Sequence, residues 1–129
     1  MDNVRWQVTD PLGNEIRLSE ENFRYHIMEM HDEKDAEARK KIEEHVKYSL
    51  QNPRFIVKDK NIAGRKVYLD LVNVDNDDLI SIRSLSVVVD ESGEVVTWFA
   101  QRTINIKIKT AGGIIYDKRV RDLQVQLKI

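Results

Sequence analysis

The chain has 129 residues, 41% hydrophobic and 33% charged, with a formal net charge of -1, which fits one globular domain able to bury its own core. It has no cysteine, so disulfides, thiolate metal sites and cysteine nucleophiles are excluded, and a reducing, cytoplasmic setting is expected. Its apolar runs are too short for a membrane-crossing helix, and MDNVRWQVTD lacks the basic-then-apolar pattern of a secretory leader, so no membrane partner is expected.

Val4 to Val8 alternates apolar and polar residues and reads as a strand. The turn DPLGN follows, with Pro11 and Gly13 suited to tight backbone angles, and Glu15 to Leu18 returns to complete a hairpin. Ser19 is a good N-cap, with Glu20 and Glu21 in the first turn where the helix dipole favours negative charge. Phe23, Ile27 and Met30 then form one apolar stripe of a helix. HDEKD breaks the pattern, and Asp35 is expected to cap a second helix that ends at Asn52-Pro53. Its inner face would hold Ala38, Ile42, Val46 and Ser49, with His45 buried beside them and satisfied by a neighbour.

Beyond Pro53 the period switches to two. Phe55 to Lys58 is a strand, and Lys66 to Val74 sets Val67, Leu69 and Leu71 against Tyr68, Asp70 and Val72. An acidic turn is expected at Asp75 to Asp78, and Glu91-Ser92-Gly93 joins strands Ile80–Asp90 and Glu94–Arg102 as a hairpin. Thr103 to Thr110 alternates cleanly, Ala111-Gly112-Gly113 is a turn, and Leu123 to Ile129 has period two again. The layout is α+β: an N-terminal hairpin, then two helices packed on one face of a C-terminal antiparallel sheet. Residues 101–129 carry net +5 and residues 1–100 net -6, so the tail suits a polyanion or another copy of the chain.

Among the chemistry-bearing residues, His26 and His31 are five apart, about 140° on an ideal α-helix, and flank the Phe23–Ile27–Met30 stripe. That placement is wrong for a chelating i, i+4 pair and suits boundary residues at a cleft, so no metal ligand set is expected there. Glu-x-x-His is absent, phosphate loops and nucleophile elbows are absent, and no cofactor is implied. On the strand VVTWFAQ, Thr97 is expected to share a face with Val95 and Phe99, setting a hydroxyl where an apolar group would be usual. The late cations Lys107, Lys109, Lys118, Arg119 and Arg121 have only Tyr116 among them, too few aromatics for a base-stacking platform.

One ordered pattern says more. Trp6-x-Val8-Thr9-Asp10-Pro11-x-Gly13 leads into Ile16 and Leu18-Ser19, then His26-Ile27, His31 and Leu50-x-Asn52-Pro53-x-x-Ile56. A Tyr68 strand, Val87-Val88-Val89 and Val95-Val96-Thr97 complete it. This order resembles the phage- and mobile-element-associated branch of the barnase–EndoU–colicin–RelE nuclease-like family, over residues 4 to about 102. The resemblance implies a nuclease-like domain at 1–102, a β-rich basic extension of it at 103–129, and a phage or toxin-related setting. It implies catalytic roles for His26, His31, Tyr68 and Thr97, and substrate-binding roles for Arg65, Lys66 and Arg102. Two departures are visible: His31 is followed by Asp32-Glu33 without the family's proline, and Thr97 by the bulky Trp98.

The activity so implied is metal-independent RNA cleavage by 2′-OH transesterification. That chemistry needs a base, an acid and donors to the non-bridging oxygens. His26 and His31 fill the first two roles, Tyr68 orients or donates, and Thr97 with Arg65 holds phosphate. The alternative is a catalytically inactive regulatory or binding protein encoded by a mobile element, oligomeric through its C-terminal strands. The partners expected under the two readings are RNA, an antitoxin or regulatory protein, and a second copy of the chain.

Overall fold

The computed structural model describes residues 3–76, 79–101 and 112–121. Strands β1 (Val4–Thr9) and β2 (Glu15–Ser19) pair antiparallel as a separate two-stranded sheet. Asp10 makes their turn, its Oδ1 accepting from the backbone N–H groups of Leu12 and Asn14, each at 2.9 Å. Ser19 caps the helical block through its side chain, as its position suggests, and α1 (Glu20–Asn22) runs straight into a π-helical segment, Phe23–Glu29. There Met30 N donates to Tyr25 O, five residues back, so the wider winding turns Met30 away from Phe23 and Ile27. Phe23 and Ile27 are buried while Met30 is 62% exposed, which corrects the three-residue stripe. The 140° separation of His26 and His31 presumed α-helical winding and does not apply to this turn.

The second helix is two helices, α2 (Glu33–Lys41) and α3 (Glu43–Gln51), split at Ile42. Asp32, not Asp35, caps the first, accepting from Asp35 N at 2.8 Å. The break shifts the phase of the inner face: Ala36 is buried and Ala38 exposed, while Ile42, Val46, Ser49 and Leu50 stay inside. It also turns Glu43 inward, where its carboxylate receives Arg5 Nε at 2.6 Å, Arg5 Nη2 at 3.0 Å and Trp6 Nε1 at 2.9 Å. Burial alone would raise the Glu43 carboxyl, but these donors outweigh it and hold the group below its ordinary value. The Arg5 guanidinium, pushed upward by the same hydrogen bond, also lies 3.7 Å over the Phe23 ring.

The main sheet has five antiparallel strands in the order β6-β5-β4-β3-β7, with β3 Phe55–Lys58, β4 Lys66–Asn76, β5 Leu79–Val89, β6 Val95–Gln101 and β7 Ile114–Asp117. This is the expected α+β architecture. Tyr68, Val87 and Trp98 pair across three strands and are fully buried in the core with Ile27, Val46 and Leu50. The hairpin at 91–93 is present, with Gly93 at φ +90. A bulge just after it skips Val96, so Val88 faces Thr97 but Val89 faces Val95. Val95 and Trp98, three apart, are thereby both buried, and Thr97 does not share the face of Val95 as strict alternation would require. β7 has no counterpart in the sequence reading, and the strands expected at 103–110 and 123–129 lie outside the described residues, as does the centre of the acidic turn.

The N-terminal hairpin is tied to this sheet by polar contacts. Arg17 N donates to Gly93 O at 2.9 Å, and the Glu94 carboxylate receives Ser19 N at 3.0 Å, Asn22 Nδ2 at 3.1 Å and Arg17 Nε at 3.1 Å. Tyr68 OH donates to Asp10 Oδ2 at 2.6 Å from inside the core. Burial, then Asp10, pushes that phenol well above its usual range.

Candidate functional site

The helical block and the β6 edge meet in a line of four side chains. His31 follows the π-helical segment, Asp35 and Arg39 come one and two turns later along α2, and Thr97 sits on β6. His31 Nδ1 lies 3.1 Å from Asp35 Oδ2, the same oxygen accepts from Arg39 Nε at 3.1 Å, and Arg39 Nη1 reaches Thr97 Oγ1 at 3.2 Å. Spacing explains the Asp35–Arg39 link, since residues four apart on a helix stand one above the other, while His31 approaches Asp35 from just before the Asp32 cap. Arg39 also donates to Trp98 O, and Trp98 Nε1 returns a bond to Arg39 O at 3.0 Å, so the arginine is fastened to the sheet on both sides of its backbone.

This line has a chemical polarity. The Asp35 carboxylate stands 3.1 Å from His31 Nδ1, the placement a carboxylate takes beside a histidine that acts as a general base. Arg39 donates to the same carboxylate oxygen and holds it in place, as a third group does in nucleophile-activating relays. Beside it opens a cleft of about 140 Å³ lined by Asp35, Arg39, Arg83, Phe99 and Ala100. Arg83 carries no ion pair among the described residues. Two guanidinium groups and an aromatic ring in one cleft are chemistry that suits a phosphate group with a neighbouring base.

Of the residues marked out in the sequence, the structure thus joins His31 and Thr97, through Asp35 and Arg39. His26 is half-buried, its ring edge-on to Tyr25 at 5.5 Å, without a hydrogen bond to another described residue. Tyr68 is fully buried with its hydroxyl committed to Asp10, and it lines none of the described clefts. Arg65 and Lys66 stand at the start of β4, two strands from Thr97. Arg102 lies outside the described residues. His45, expected to be buried, is 36% exposed at its side chain and faces Leu71 O at 2.8 Å, with Asp70 at 3.7 Å. Sequence reading missed Asp35 as a partner and Arg39 altogether. The signal was present as His31-x-x-x-Asp35-x-x-x-Arg39, an i, i+4, i+8 row.

Among the described residues, no three His, Asp or Glu side chains gather as a metal-holding group, and no helix is long and apolar enough to cross a membrane. Comparison with protein-family models, curated proteins and solved structures returns no match to this chain.

Proposed function

We propose that this protein is a metal-independent RNA-cleaving domain in which His31 takes the proton of a ribose 2′-OH. The observation that carries the reading is the row His31–Asp35–Arg39–Thr97, in which a carboxylate hydrogen-bonded to Arg39 stands 3.1 Å from His31 Nδ1 next to an arginine-lined cleft. In this mechanism Nε2 of His31 abstracts the proton as the 2′-oxygen attacks phosphorus, and the Asp35 carboxylate stabilises the imidazolium that forms. Arg39 and Arg83 meet the non-bridging oxygens as charge builds on them. His26 is assigned the proton for the departing 5′-oxygen, since its ring has no hydrogen bond to another described residue. The products are a cyclic phosphate and a free 5′-hydroxyl.

The test is incubation of a mixed labelled RNA pool with purified protein in EDTA, wild type beside His31→Ala. Cleavage by wild type alone, with cyclic-phosphate ends, is the expected outcome. Equal cleavage by His31→Ala overturns the assignment of the base. A second reading, an RNA-binding regulator without turnover, is favoured by the burial of Tyr68, which removes one expected reacting group from solvent. RNA binding without cleavage by a folded wild-type chain would select it.

A further inference from the structure

The largest of the described concavities lies elsewhere, at the β3–β4 end of the sheet. It encloses about 540 Å³ and is lined by Lys58, Lys60, Arg65 and Lys66, with Asp59 the one lining carboxylate. Asp59 Oδ1 is already occupied, accepting from Asn61 N at 2.8 Å and Ile62 N at 3.1 Å in the loop it closes. Nearby, Glu91 packs its side chain against Gly64. None of the four cations has an ion pair among the described residues.

Two further observations show that this charge is held against local cost. Lys58 and Lys66 are direct cross-strand partners, and like charges in that relation are destabilising. Arg65 Nε is buried without an acceptor, a state that folded proteins rarely leave uncompensated. By contrast, the arginines of the basic cleft around Tyr48 and Phe55 face carboxylates: Arg54 is 3.8 Å from Asp70, and Arg119 is 2.9 Å from Asp117. The wall is also fixed by backbone. Lys58 N donates to Gly113 O at 2.9 Å, and a Cβ on Gly112 would stand 2.2 Å from Lys58 O, so only glycine lets that segment close the cavity.

We propose that this cavity is a phosphate-binding site for a ligand with two or more phosphates, held by Lys58, Lys60, Arg65 and Lys66. Anion binding relieves the Lys58–Lys66 repulsion. A phosphate meeting Arg65 at its terminal guanidinium nitrogens gives that cation the counter-charge it lacks. The volume exceeds what a single phosphate needs, which points to adjacent phosphates of a strand or of a free polyphosphate. The site stands apart from the cleavage reading and is measured by binding alone.

The experiment uses the His31→Ala chain in EDTA, so that RNA is not consumed, and two probes: a labelled 12-nucleotide single-stranded RNA followed by anisotropy, and inorganic pyrophosphate followed by calorimetry. Lys58→Gln/Lys66→Gln is expected to weaken binding at least about tenfold. It should also reduce the salt slope for RNA by about 1.4, two single-strand phosphate contacts. Lys60→Gln, in the exposed loop, gives a smaller loss in the same direction without touching a strand. Arg24→Gln/Lys47→Gln removes the same two charges from the helices and serves as control, with affinity kept within about twofold. The double lysine variant should melt no lower than its parent, because it removes a repulsion. Selective loss with RNA identifies a strand as the ligand, and selective loss with pyrophosphate alone identifies a free polyphosphate. No binding of either probe by the parent chain, or equal weakening by the control pair, overturns the site.

Discussion

Replacing Tyr68 by Phe separates a structural tyrosine from a catalytic one. The change removes one hydroxyl from a fully buried ring and leaves Asp10 Oδ2 with only the 3.3 Å contact from Asn14 Nδ2. Hydrogen bonds to charged groups contribute about 1.5–3 kcal/mol, so a loss of about 2 kcal/mol is expected. Unfolding entropy of about 2.1 cal/mol/K per residue, over 129 residues, converts that loss to a fall in Tm of about 7 °C. Differential scanning calorimetry reads the shift, and RNA cleavage well below Tm reads activity per folded molecule, which should be unchanged. The tyrosine also gives the pH sign: its acid form is favoured in the folded chain, so its stabilisation is complete below about pH 10 and fades as pH rises above that value. The Phe variant should therefore lose less stability than wild type between pH 9 and 11. A variant with unchanged Tm and abolished cleavage would refute the placement of Tyr68 as a core tie.

Three other outcomes follow from the same structure. Asp35→Asn keeps the α2 cap, which uses only the backbone N–H of residue 35, so stability should move by less than about 0.5 kcal/mol while single-turnover cleavage falls about 100-fold or more through loss of the charge that stabilises the His31 imidazolium. Glu43, held below its ordinary value, contributes stability that is present above its unfolded pKa of about 4.5 and lost as pH falls below it; the Tm gap between wild type and Glu43→Gln should therefore narrow from pH 6 to pH 3. Gly93→Ala forces a Cβ to 2.6 Å from Glu15 O at a positive φ and should cost about 2 kcal/mol or more, visible as a lower urea midpoint.

The parts of the fold legible in the sequence are those where one local rule acts alone. The first hairpin, the Ser19 cap, the strand starting at Phe55 and the 91–93 turn come from alternation and turn chemistry, and each is present. The misreadings occur where tertiary contact overrides period. Met30 leaves the core because the winding widens to i→i+5, and Ala38 leaves it because the helix breaks at Ile42 to present Glu43 to Arg5 and Trp6. Thr97 changes face because one bulged residue resets β6. In the candidate site, residue type alone marked His31 and Thr97, but not that Asp35 and Arg39 connect them. That link depends on α2 lying against the β6 edge, which no spacing within a single element encodes.

The anchoring of the N-terminal hairpin sets an order of events for the growing chain. A lone two-stranded hairpin is at best marginally stable in water, and this one is fastened by partners far along the sequence: Asp10 to Tyr68, 58 residues on, and Ser19 to Glu94, 75 residues on. The hairpin is made before the sheet that anchors it, so during synthesis it must wait, unsecured, until most of that sheet has followed. Such distant closures slow folding, because the loop must be closed before its contacts form. The hairpin is then made well ahead of the contacts that lock it, and a protease acting on the nascent chain would find early cleavage sites there.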